Sequence, residues 1–131
     1  MINNRCHVLV VEDSLPVLQR IEASLFNINC VYRVSVATTY DEAIEVLSLN
    51  NVDVATLDIN LSSSQKSGID VLKVIKKSYP FIKTIMLTNS STRKYREVCS
   101  KIGADYFIDK TEDFECVPGL INNIYSPSGI L

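Results

Sequence analysis

The sequence predicts a doubly wound α/β domain: a five-stranded parallel sheet with helices on both faces. Two observations lead there. Short apolar runs alternate with longer stretches whose apolar residues recur at helical spacing, which is the pattern of consecutive βα units. The inner runs are uniformly apolar rather than alternating, as expected for strands covered on both faces. Five such units fit within 131 residues, a length that suits one compact domain.

The first run, Cys6-His7-Val8-Leu9-Val10-Val11, is too short and too evenly apolar for an amphipathic helix, and it ends in Glu12-Asp13. Ser14 then offers a helix cap with Pro16 in the first turn, and Leu18, Ile21, Leu25 and Ile28 recur on one face. Residues 32–36 alternate apolar with polar, which predicts an edge strand with one solvated side. Thr39 and Glu42 predict a capping box, with Tyr40, Ala43, Ile44 and Leu47 as the inner stripe of the second helix and Asn50-Asn51 as its end. The third strand is expected at residues 54–57, closing with Asp58, and the serine-rich loop at residues 60–67 is expected to be mobile.

Helix three is expected from about Gly68 to a stop at Pro80, with Leu72, Ile75 and Tyr79 inward and Lys73, Lys76 and Lys77 elsewhere. Strand four spans residues 82–87 and ends at Thr88. Tyr95, Val98, Cys99 and Ile102 form the inner stripe of helix four, Arg93, Lys94, Arg96 and Lys101 give it a basic outer face, and Gly103 stands where a glycine cap belongs. Strand five is short, residues 106–108, and Pro118-Gly119 is expected to confine the last helix to the stretch after Pro118. Residues 1–125 thus form the domain, and residues 126–131 a tail or the start of a linker.

Composition narrows the function classes. Four cysteines, Cys6, Cys30, Cys99 and Cys116, are scattered without a C-x-x-C pair, so they read as small buried hydrophobes rather than a zinc or disulfide framework. A formal net charge of −2 speaks against nucleic-acid binding by the surface as a whole. No run is long and apolar enough to span a bilayer, and Met1-Ile2-Asn3-Asn4-Arg5 lacks the apolar stretch of a signal peptide, so a cytoplasmic protein is expected. His7 begins the first strand, at the end of the sheet away from the carboxylates, and reads as a packed or solvated histidine.

The chemistry is expected beyond the carboxyl ends of the strands, where open parallel sheets bind ligands. Strand one delivers Glu12 and Asp13, strand three Asp58, strand four Thr88 and strand five Lys110. Converging carboxylates repel one another unless a cation neutralises them, and a hard divalent ion suits all-oxygen donors. Mg²⁺ needs only one or two carboxylates and a carbonyl from the protein, which Asp13, Asp58 and the backbone carbonyl of Asn60 can supply.

This set, in this order along nearly the whole chain, resembles the bacterial response-regulator receivers of two-component and phosphorelay systems. The resemblance implies the flavodoxin-like strand order 2-1-3-4-5. It implies Asp58 as phosphoacceptor, Asp13 as direct Mg²⁺ ligand, Glu12 as a ligand through water, Lys110 paired with the phosphoryl oxygens and Thr88 hydrogen-bonded to one of them. Thr88 and Phe107 would be the switch, and the face of helix four, strand five and the last helix would bind a downstream protein. The other implied partners are a histidine kinase or histidine phosphotransferase and, for some members, a phosphorylation-linked second copy; neither a membrane nor direct nucleic-acid binding is implied. Such a module is not an enzyme toward outside substrates, although it promotes its own phosphorylation and dephosphorylation.

Four positions depart from the usual pattern. Ser62 replaces a proline four residues after the acceptor, Gly68 comes ten residues after it instead of eight, Thr111 replaces the proline after the lysine, and Asn89 replaces a small residue. Rival functions fit less well. An aspartyl-nucleophile phosphatase usually carries a second Asp where this chain has Asn60, a nucleotide-binding module would need a glycine fingerprint that four glycines do not form, and a pseudo-receiver scaffold would not need the complete acidic set.

Overall fold

The computed structural model describes residues 5–61, 65–89, 93–110 and 115–125. Its elements run β1 (Cys6–Val11), α1 (Leu15–Phe26), β2 (Val31–Ala37), α2 (Tyr40–Leu49), β3 (Val54–Leu57), α3 (Gly68–Ser78), β4 (Lys83–Thr88), α4 (Arg93–Ile102), β5 (Tyr106–Asp109) and α5 (Cys116–Tyr125). The strands form one parallel sheet in the order β2-β1-β3-β4-β5. The order reverses between β1 and β3, so the ends of those two strands flank the crevice in which doubly wound sheets place their ligands.

Period-two alternation sorts the strand residues onto two cores. Leu9, Val11, Ala55, Leu57 and Met86 face one side, where Ala43 and Leu47 of α2, Val71, Leu72 and Ile75 of α3 and Cys99 of α4 cover them. Cys6, Val8, Val10, Val54, Ile85 and Leu87 face the other, under Leu18, Ile21 and Leu25 of α1 and Val117 and Ile121 of α5. Burial on both faces explains why β1 and β3 read as unbroken apolar runs, and why β2, at an edge, alternates.

Several local details differ from the sequence reading. Ser14 is the N-cap of α1 but makes no side-chain cap bond; its amide donates to Glu12 Oε2 at 3.0 Å. Ile28 lies beyond the end of α1 and packs on the same core from the turn. Thr39 accepts from the Glu42 amide as expected, but the Glu42 carboxylate reaches Thr38, at 2.7 Å from its amide and 2.9 Å from its hydroxyl, so the box is displaced by one residue. A full capping box stands instead at the start of α3, between Ser67 and Asp70.

Val98 is not part of the inner stripe of α4. It is 36% exposed, and Cys99 is the fully buried residue of that helix, because β5 is the edge strand and leaves α4 a narrow seat. Gly103 ends α4 with φ +116°, its amide donating to the carbonyls of Cys99 and Ser100, as the glycine cap required. The last helix begins at Cys116, ahead of Pro118. Proline falls in the first turn, where its missing N–H would have had no helical partner anyway. Cys6, Cys30 and Cys99 are buried as expected, whereas Cys116 is exposed.

The tail at 126–131, Ser62 and Thr111 lie outside the described residues, as does part of the serine-rich loop. The described parts of that loop are anchored: Leu61 is buried and Ser67 is held in its capping box. Among the described residues, no helix is long and apolar enough to cross a membrane.

Candidate functional site

The site is assembled by backbone pairing at the carboxyl edge of the sheet. The Glu12 amide donates to Ala37 at 2.9 Å, the Asp58 amide to Val11 at 3.0 Å and the Lys110 amide to Thr88 at 3.1 Å, so each acidic or basic residue is held by the strand beside it. Glu12 and Asp58 are buried, Asp13 is half-buried and Thr88 is fully buried.

Lys110 is the hub. Its Nζ lies 2.6 Å from Glu12 Oε1 and 3.0 Å from Asp58 Oδ2, and its side chain is only 8% exposed. The remaining carboxylate oxygens are also engaged: Glu12 Oε2 accepts the Ser14 amide, and Asp58 Oδ1 accepts the Asn60 amide at 3.2 Å. Burial pushes the Glu12 carboxyl above its usual range, with the Lys110 hydrogen bond pulling it back and the Asp58 charge pushing it further up. Burial acts to lower the Lys110 ammonium, but the hydrogen bond it donates to Glu12 and the charge of Asp58 outweigh it and hold the lysine above its ordinary value.

Glu12, Asp13 and Asp58 each offer an oxygen within 4.8 Å of the others, a group that could hold a metal ion. One ammonium set against three carboxylates leaves a surplus of negative charge in a largely buried place, and hard oxygen donors in such surroundings fit a divalent cation.

The structure therefore brings together Glu12, Asp13, Asp58 and Lys110, with Thr88 at the same edge. Asn60 adjoins them through its amide and is otherwise exposed. Asn89, next to Thr88, is exposed as well. Phe107 is half-buried on the face shared by α2, α3 and α4, paired in register with Met86 and covered by the Arg96 guanidinium at 4.8 Å from the ring centroid. His7 sits at the far end of β1, buried, with Nε2 2.7 Å from Ser35 Oγ, and takes no part.

Two contacts escaped the sequence reading. The Ser14 amide orients Glu12, and nothing in the residue type announces a backbone donor. Gly68 packs against Asp58 itself: its amide donates to Ile59 at 3.0 Å, and a Cβ there would overlap the Asp58 carbonyl oxygen and stand 2.7 Å from the Asp58 carbonyl carbon. A lone glycine opening the helix that follows Asp58 was the available signal.

The chain matches the response regulator receiver domain family over residues 8–121. It is 31% identical over 103 residues to a response regulator of Rickettsia conorii described as NtrX-like, covering 79% of this chain and 21% of that protein. It is 34% identical over 105 residues to the regulatory protein VanR of Enterococcus faecium, covering 79% of this chain and 42% of that one. The matched stretch thus spans about a fifth of the first relative's length and 42% of the second's. Among solved structures, the receiver domain of the Francisella response regulator 1452 superposes with a TM-score of 0.81 at 24% identity, covering 92% of this chain and 97% of that one. With its strand order and a match across most of its length, the chain belongs to the response regulator receiver domain family.

Proposed function

We propose that this domain receives a phosphoryl group on Asp58 from the phosphohistidine of a histidine kinase or histidine phosphotransferase in the cytoplasm, and passes the change to a downstream protein. The observation that carries the reading is the Lys110 ammonium bridging Glu12 and Asp58 within a cluster of three carboxylates. An Asp58 oxygen attacks phosphorus, the bond from phosphorus to the donor nitrogen breaks with its electron pair leaving on the imidazole, and an acyl phosphate results. Such transfer depends on alignment and charge neutralisation more than on acid–base chemistry.

Lys110 holds Asp58 by one oxygen and offers its positive charge to the incoming phosphoryl oxygens; an oriented donor of this kind is worth about 2.7–4 kcal/mol in the transition state. Asp13 and Asp58, with the Asn60 carbonyl, would hold Mg²⁺ directly and Glu12 through water; the bound ion offsets charge on the phosphoryl oxygens. The Thr88 hydroxyl would donate to one of those oxygens.

The same groups support a switch. Phe107 pairs with Met86, two residues before Thr88 on the same face of β4, so a movement of Thr88 toward Asp58 frees space on the Phe107 side. A hydrogen bond to a charged acceptor is worth about 1.5–3 kcal/mol, enough to change a minor conformer's population tenfold or more. The output surface would be α4, β5 and α5, open to a downstream protein or a second phosphorylated copy.

Mass spectrometry after incubation with acetyl phosphate and Mg²⁺ tests the core of this. One phosphoryl group should be added to the wild type and none to Asp58→Asn; an unmodified wild type overturns the proposal. Asp13→Ala should weaken Mg²⁺ binding far more than Glu12→Ala. Thr88→Ala should still be phosphorylated while the NMR shift changes on α4 and β5 are blunted, and a wild-type shift pattern would reject the coupling.

A further inference from the structure

We propose that Cys6 and Cys30 are a dithiol that a peroxide closes to a disulfide, a modification site at the end of the sheet opposite the acidic cluster. It shares no residue with the phosphoacceptor reading and does not depend on it.

The backbone brings the pair together. β1 and β2 run in regular parallel register from His7 with Arg33 to Val11 with Ala37, but between Cys6 and His7 the pairing shifts, so Cys6 stands opposite Val31. An unbroken ladder would set Cys6 opposite Tyr32, with its amide bonded to the carbonyl of Val31. The shift sends that amide to the Cys30 carbonyl instead, at 2.6 Å. A backbone bond of this length holds the two Cα atoms roughly 5–6 Å apart, inside the range of about 4.4–6.8 Å that a disulfide spans. Both side chains enter the same core, beside Val8, Leu25 and Ile28, with Cys6 0% and Cys30 5% exposed.

The thiols also meet. Burial first, and then the Cys30 charge and a hydrogen bond to the Cys30 side chain, push the Cys6 thiol up to about 12, so Cys6 keeps its proton and donates it toward the Cys30 sulfur. That contact divides the roles. The Cys30 sulfur, the nearer to the surface, attacks a peroxide oxygen; the O–O bond breaks, water leaves with the Cys30 proton, and Cys30 carries a sulfenic acid. The Cys6 sulfur then attacks the Cys30 sulfur, the S–O bond breaks as the S–S bond forms, and a second water leaves with the Cys6 proton.

The fold leaves the other two cysteines out. Cys99 lies in the core on the opposite face of the sheet, and Cys116 is exposed at the start of α5. A bond between Cys6 and Cys30 would close residues 6–30, the whole of α1 included, into a covalent ring and pin the start of β2 to β1. Local opening of α1 would then be confined to what the ring allows.

The test treats the intact native protein with hydrogen peroxide, quenches it, unfolds it with an alkylating maleimide and digests it with trypsin. Cleavage after Arg5, Arg20 and Arg33 puts the two cysteines on different peptides. A link between peptides 6–20 and 21–33, reversed by dithiothreitol, should be the main cysteine product, and hydrogen exchange in α1 should slow several-fold in the linked protein. The same treatment in concentrated urea should scatter links among all four cysteines. Cys6→Ala, a small apolar replacement in an apolar site, should leave Cys30 as a sulfenic acid that dimedone traps, and Cys30→Ala should leave Cys6 unreacted. Recovery of Cys6 and Cys30 as maleimide adducts from the peroxide-treated native protein would overturn the proposal. So would native links to Cys99 or Cys116 as frequent as those in urea, and dimedone on Cys6 in Cys30→Ala would overturn the division of roles.

Discussion

Replacing Gly68 by alanine should damage both stability and phosphoryl transfer, against the ordinary preference of helices for alanine. The new Cβ would overlap the Asp58 carbonyl oxygen and sit 2.7 Å from its carbon and 3.3 Å from Ile59 Cα. Carbon atoms prefer about 3.5–4.0 Å, so the contact falls short by roughly 1 Å. Both partners are backbone, and no rotamer change can relieve them; either α3 retreats or the end of β3 shifts. Overpacking of this kind costs about 1–3 kcal/mol, while alanine regains at most about 1 kcal/mol of helix propensity in an interior turn and less at the first position. A net loss of about 2 kcal/mol would lower the urea midpoint by roughly 1 M for a slope of about 2 kcal/mol/M. On the proposed function, a displacement of about 1 Å at Asp58 would also slow labelling by acetyl phosphate on the order of 100-fold. Gly119 supplies the control, since its Cβ would meet nothing within 4 Å inside α5. Gly119→Ala should stabilise by about 0.5–1 kcal/mol. If both alanine variants behave alike in urea, the close approach at Asp58 is not what requires glycine.

Lys110→Met should cost about 3 kcal/mol at pH 7, because it leaves buried Glu12 without its cation. Glu12 already sits above its usual range, and a raised carboxyl loses stability as pH rises, so the deficit should shrink at pH 5; equal deficits in chemical denaturation would reject the pairing. Burial first, and then the Arg33 charge, lower the His7 imidazole below its ordinary value, so the folded state binds its proton less readily than the unfolded one. Stability should therefore be intact above about pH 6.5 and fall as pH drops below it, and His7→Gln should flatten that limb of the profile. A thiol reagent such as Ellman's should modify Cys116 alone in the native protein, with Cys6, Cys30 and Cys99 reacting only after unfolding. Burial foremost, then neighbouring Cys30, pushes the Cys6 thiol up to about 12, so rapid native labelling of Cys6 would contradict the fold around β1.

The strands were legible because β1, β3 and β4 are buried on both sides, and only short, uniformly apolar runs meet that demand. Helix faces were legible where a helix sits over the middle of the sheet, as α1 and α3 do. At the edge, α4 has one strand beneath part of its width, and the apolar residue Val98 is left at the surface. Pro118 misled because a proline is read as a breaker without knowing how far upstream the helix begins; two residues of lead, Cys116 and Val117, turn it into a first-turn residue. At the site, the positions of Glu12, Asp13, Asp58, Thr88 and Lys110 followed from strand ends alone. What no residue type disclosed was the closest pairing, Lys110 with Glu12, since that depends on side-chain reach across two strands that lie between them in the sheet.

The clasp between Ile59 and Gly68 makes the intervening loop a closed handle. Its two ends are joined by a backbone hydrogen bond of 3.0 Å, and the helix that follows is capped at once by Ser67 and Asp70. Whatever length of chain follows buried Leu61, the pairing of Ile59 with Gly68 fixes where β3 ends and α3 begins. Each doubling of such a loop costs only about 0.6 kcal/mol in closure entropy, so two residues more than the usual spacing are nearly free. The loop is thus a place where sequence can be lengthened, tagged or diversified at little cost to the backbone pairing beside Asp58.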